Sequence, residues 1–203
     1  DEGFMELLRT AFKFAEDNSD GTDAIQQNKA AILALGVILG EERIASVAGR
    51  EIDGGRRKEI AKLYQRISIR GRKDLARHFW VSAALTVLSD QSRSMDVGVT
   101  KELMDATAGG SGFSFVDLTA DLSGTLFARV ATRDVQSARD LQLRISRGIE
   151  IDDFFPEITG LPESIYRDEF QTKYGGLGGA ETTKILEEIR RRLAKCPVLD
   201  FDG

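Results

Sequence analysis

The sequence predicts an all-α protein, and three observations carry that expectation. Across 203 residues there are three prolines beside twenty glycines, so long stretches are free of the residue that breaks helices. Apolar residues recur three and four apart, whereas alternating Val/Ile/Thr/Tyr runs of the kind that make strands are few. Hydrophobic residues make up 41% and charged residues 30%, enough apolar surface for a core with no sign of disorder or fibrous repeat. A chain of this length buries a core without disulfides or a structural metal. The reading is one helical domain over 1–203, a multi-helix bundle around a buried central helix, with a core motif region at 72–133 and a helical extension at 135–203.

Taken in order, 4–16 sets Phe4, Leu7, Leu8, Ala11, Phe12 and Ala15 at helical spacing, and Asn18-Ser19-Asp20-Gly21 stops the helix. A second helix begins near Asp23 and turns apolar almost all round between Ala30 and Leu39, so it is expected at the centre of the bundle. The segment 41–47 continues it or forms a separate turn. Ile60, Leu63, Tyr64 and Ile67 predict a third helix over 58–69, ended by Gly71. The fourth, over 72–88, carries Leu75, Phe79, Ala83, Val87 and the single histidine, His78. A fifth is read over 95–106. Ser114 then caps a sixth that runs to 132, with Asp117 at its third position. A seventh over 135–147 packs through Leu141 and Ile145. The stretch 149–161 is an irregular loop pinned by Phe154, Phe155 and Ile158, and Pro162 opens a short helix to about 173. After the glycine-rich loop 174–179, a last amphipathic helix covers 181–195 with Ile185, Leu186, Ile189 and Leu193 inward.

A net charge of −5 and a sequence pI near 5.1 set the molecule against a phosphate backbone, and its basic stretches are interleaved with acids, so nucleic acid is not an expected partner. No apolar run approaches the roughly 20 residues of a membrane span. The one cysteine, Cys196, precedes Pro197 far from the histidine and reads as inert. Because the chain starts at Asp1, removal of a leader or other preceding segment is expected.

Chemistry concentrates between Asp74 and Asp121. Asp74, His78 and Ser82 follow one another at four-residue steps on one helix, Glu102 and Asp105 are three apart on the next, and Asp117 and Asp121 four apart on the one after. If those faces meet, a histidine and several carboxylates converge. Such a set suits a histidine base oriented by an acid, or a divalent metal held by His78, Glu102, Asp105 and Asp121. The candidate catalytic residues are His78 as base or ligand, Asp74 or Asp117 as its orienting partner, and Glu102 as second acid. Plainer uses stand beside these: Asp74 and Asp117 also serve as first-turn helix charges, and a lone histidine between aromatics can be a satisfied core residue. No Glu-x-x-His pair or H-E-x-x-H run is present. The loop 109–112, with Ser111 and then Ser114, could cradle an anion at a helix start, but it lacks the lysine of a P-loop.

The runs His78-Phe79-Trp80-Val81-Ser82, Lys101-Glu102-Leu103-Met104-Asp105 and Gly112-Phe113-Ser114 through Gly124 resemble the small exported bacterial lipoproteins of the YfiM type. Those carry an H-F-x-x-S helix, then K-E-x-x-D, then G-F-S-x-x-D-L-x-A-[ND]-x-x-G. The resemblance covers about a quarter of the chain, and Asp121 stands where that pattern more often has asparagine. It implies an exported bacterial protein in the periplasm or envelope, a polar cluster, and Lys101 as a further ligand-binding candidate; it implies no reaction. The functional expectation is an interhelical pocket where His78, Asp74, Ser82, Asp105 and Asp121 bind a metal or small ligand, with hydrolysis as its chemistry. The alternative is a non-catalytic envelope scaffold or interaction module whose polar cluster only fixes helix register.

Overall fold

The computed structural model describes residues 1–39, 54–89 and 112–199. Within them are eight α-helices: α1 (Glu2–Asp17), α2 (Ala24–Leu39), α3 (Gly54–Tyr64), α4 (Lys73–Leu88), α5 (Phe115–Thr132), α6 (Val135–Arg147), α7 (Arg167–Thr172) and α8 (Ala180–Leu193). Among the described residues β-structure is limited to two isolated bridges, Ile69 with Arg72 and Phe113 with Ile165. The all-α bundle expected from the sequence is therefore the fold. The helices read over 41–47 and 95–106 lie outside the described residues.

The bundle is organised on the pair α4 and α5, with α2 laid against both and α1 and α6 closing the far side. The helix at the centre is α5, not the more apolar α2. Most of α5 is buried, including Phe115, Leu118, Ala120, Asp121, Ser123, Gly124, Phe127 and Ala128. Small residues let α4 approach so closely that a Cβ added at Gly124 would sit 2.0 Å from the Phe79 carbonyl oxygen. By contrast α2 buries one face, through Ala31, Ile32, Leu35 and Leu39, and leaves Ala34 exposed. An aromatic cluster of Phe4, Phe12, Phe79, Trp80, Phe127 and Phe154 fills the space between α1, α4, α5 and the 149–161 loop, and such edge and offset pairs add to the area they bury. Phe154 and Phe155 are fully buried, so the irregular loop is pinned to the core as its sequence suggests.

Two boundaries move for local reasons. The third helix begins earlier than periodicity implies and ends at Tyr64; Ile67 and Ile69 are buried in non-helical chain, where Arg70 (φ 53°) and Gly71 (φ 73°) turn the backbone back toward α4. Two successive positive φ values make this a two-residue type I′ turn, for which glycine at the second position is well suited. The helix expected from Pro162 shortens to α7 because Ile165 pairs with Phe113 through two backbone hydrogen bonds of 2.8 and 2.9 Å, which holds 162–166 out of helix, with Ser164 at φ 56°. That pairing also fixes the entry to α5, and with it the residues of the site. A buried amide joins α2 to the α5–α6 junction: Asn28 donates to the Ala131 and Ala138 carbonyls and accepts from Gln142.

Candidate functional site

The N-terminal half of α5 meets the middle of α4 at a cluster of polar side chains. Ser114 caps α5 by accepting from the Asp117 backbone N–H at 3.0 Å, which leaves the Asp117 carboxylate free to face α4. One turn further, Asp121 points into the same seam and is only 2% exposed. From α4, His78 Nδ1 lies 3.1 Å from Asp121 Oδ1, and the Ser82 hydroxyl donates to that oxygen at 2.8 Å. His78 Nε2 stands 3.8 Å from Asp117 Oδ2. With the carboxylate ionised, Nδ1 must be the donor, so Asp121 fixes both the ring orientation and the tautomer. The imidazole keeps 28% of its side-chain surface exposed, and its Nε2 faces Asp117.

A second layer surrounds this pair. Arg72, just before α4, grips Asp74 through two nitrogens at 2.6 and 3.2 Å, reaches Glu163 at 2.6 Å and lies 3.5 Å from Asp117 Oδ1. Burial tends to raise the Asp74 carboxyl, but the bonds and charge of Arg72 outweigh it and hold Asp74 below the usual carboxylate range. Asp117 goes the other way: burial, with the charges of Asp74 and Asp121, raises it despite His78 and Arg72. For His78, burial alone would lower the basicity, yet the hydrogen bond and charge of Asp121, aided by Asp117 and Asp74, lift it above the ordinary imidazole value of 6.5.

The sign of that shift yields an expected pH dependence. Below 6.5 the imidazole is protonated in folded and unfolded chains alike, so its stabilising contribution is fully present. As pH rises from 6.5 through the higher folded value, the unfolded chain has lost the proton that the folded one keeps, and stability falls. Thermal melting between about pH 6 and 8, where histidine is the side chain that ordinarily titrates, should show Tm decreasing with pH in the native chain and a flatter profile in Asp121→Asn. A Tm that rises over that interval would contradict the arrangement.

Of the residues singled out by spacing, His78, Ser82, Asp117 and Asp121 converge. Asp74 is nearby but committed to Arg72, so the partner that orients His78 is Asp121, not Asp74 or Asp117. Ser114 acts as a helix cap with its side chain turned to the backbone of α5. Lys101, Glu102, Asp105 and Ser111 lie outside the described residues. Among the described residues no three His, Cys, Asp or Glu side chains are grouped to hold a metal ion; the two metal candidates found there, His78 and Asp121, bond to each other. Arg72 and Glu163 are members that helical spacing does not reveal, because their contact spans 91 residues; an arginine directly ahead of an acidic first turn is the available signal.

Fold and site together define the class: an all-α bundle with a histidine–carboxylate pair in the seam between its two most closely packed helices. No family model, curated protein or solved structure matches the chain. No helix among the described residues is long and apolar enough to cross a membrane.

Proposed function

We propose that the protein binds a small ligand at the edge of the His78–Asp117–Asp121 cluster and uses His78 as a proton acceptor, with hydrolysis of the bound ligand as its reaction. The observation that supports this is the geometry of the pair: a buried carboxylate holds Nδ1, and Nε2 of the partly exposed ring faces a second carboxylate. An imidazole so held is a stronger base than a free one once it has lost its proton. A water or ligand hydroxyl placed against Nε2 can also hydrogen-bond Asp117 Oδ2, since the two acceptors are 3.8 Å apart. In this reading His78 takes the proton, Asp121 stabilises the imidazolium, Asp117 orients the nucleophile, and Glu102 remains the proposed second acid. The resemblance to exported bacterial lipoproteins supports an envelope setting.

Chromogenic p-nitrophenyl esters of acetate and phosphate test the chemistry. His78→Gln and Asp121→Asn should each lower kcat/KM about 100-fold on the ester that is turned over, and the native rate should rise with pH as His78 loses its proton. A second reading is favoured by one observation: Ser82 and His78 share a single oxygen of Asp121, which also suits a register pin in a non-catalytic scaffold. Absence of turnover, or turnover indifferent to both substitutions in folded protein, would select that reading.

A further inference from the structure

A cleft of about 440 Å³ opens at the opposite end of α5 from the histidine, within the range of about 300 to 1,000 Å³ typical of small-molecule sites. Its walls are the last turn of α5, one face of α6 and the segment that follows α8. Ser137, Leu141 and Arg144 recur at helical spacing along α6 and line it together with Val130 and Arg133 from the end of α5. Val130 is nine residues beyond Asp121, about 13 Å along the helix axis, so this space is separate from the His78 cluster.

Two guanidinium groups face the cleft, and both are held. Arg133 donates to the Ser137 hydroxyl at 3.0 and 3.2 Å and lies 3.4 Å from Asp134. Arg144 donates to the Pro197 carbonyl at 2.9 Å; that acceptor carries no formal charge, so it positions the guanidinium without neutralising it. Asp140 also lines the cleft and accepts from Gln136 along α6. The accessible apolar part of the wall comes from Val130, Ala194 and Pro197, with Leu141, Val198 and Leu199 almost fully buried behind them. Across the cleft the 194–199 segment is fixed by Val198 N–H donating to the Asp153 carbonyl at 2.9 Å, so the wall is preorganised.

We propose that this cleft binds a small organic anion, its carboxylate or phosphate head group on Arg144 and its short apolar body against Val130, Ala194 and Pro197. Guanidinium forks recognise such head groups by paired, charge-assisted hydrogen bonds, and the neighbouring aliphatic wall favours an organic anion over an inorganic one. The site is independent of the hydrolytic reading of His78.

Isothermal titration of the full chain with hexanoate and with phenyl phosphate tests this, the two arms separating the head groups. At least one should bind saturably. Arg144→Gln should weaken that binding at least tenfold, the loss of about 1.4 kcal/mol expected for a charge-assisted hydrogen bond, and Arg144→Lys should fall between. Circular dichroism checks that the variants fold, which the exposure of Arg144 favours. The proposal is overturned by no saturable binding of either probe, by equal binding in Arg144→Gln, or by acetate and inorganic phosphate binding as tightly as the larger anions.

Discussion

Gly124→Ala should destabilise the protein by about 3 kcal/mol or more, the upper end of what overpacking a core costs. The sign is the informative part, because glycine to alanine inside an ordinary helix stabilises by about 1 kcal/mol. Here the new methyl would run into the backbone of Phe79 on α4: its carbonyl oxygen at 2.0 Å, its carbonyl carbon at 2.8 Å and its Cα at 3.0 Å. No side chain can swing away to make room. Helices α4 and α5 must part, and the His78 pair, one residue from Phe79 and three from Gly124, parts with them. Urea unfolding measures the loss, and Gly54→Ala is the control, since nothing lies within 4 Å of a Cβ added there. A Gly124→Ala variant as stable as the native chain would show that the two helices are not in this contact.

The second large effect is expected at Asp121. Removing one partner of a buried ion pair typically costs about 3–5 kcal/mol, because the other charge is left behind in a poor solvent. His78 is partly exposed and can give up its proton, so the lower end applies, about 3 kcal/mol for Asp121→Ala below pH 6.5 and less at higher pH where the orphaned imidazole is neutral. Ser82 loses its acceptor as well. If His78 and Asp121 act as a pair, His78→Gln/Asp121→Ala should cost clearly less than the two single changes added together. Strict additivity in urea unfolding would mean that the two side chains do not interact.

Much of this was legible from spacing. Helices α1, α5, α6 and α8 show apolar residues at helical intervals, and Ser114, read as the cap of α5, accepts from the Asp117 N–H. The four-residue steps Asp74-His78-Ser82 and Asp117-Asp121 put the site's chemistry on two facing helices because side chains four apart share a face. What spacing does not carry is which helix sits at the centre. Hydrophobicity favours Ala30 to Leu39, yet α5 is the more buried helix through Gly124, Ser123, Thr119 and its alanines, residues that score as small or polar and earn burial by letting backbones approach. Nor does it carry long-range partners. Glu163 reaches Arg72, and Ile165 reaches Phe113, only once α7 and its approach fold back across α5. The choice among Asp74, Asp117 and Asp121 as the partner of His78 is of the same kind: all three sit at suitable intervals, but Arg72 takes Asp74, and the rotation of α5 against α4 brings Asp121 rather than Asp117 to Nδ1.

The most direct measurement is the NMR titration of His78, made clean by its being the only histidine in the chain. Ring-nitrogen and ring-proton shifts report both its pKa and which nitrogen keeps the proton. The native protein should titrate above 6.5, retain the neutral Nδ1–H form at high pH, and drop toward or below 6.5 in Asp121→Asn, with a smaller drop in Asp117→Asn. A native pKa at or below 6.5 that ignores Asp121→Asn, or a neutral imidazole protonated on Nε2, would contradict a histidine poised by the buried carboxylate.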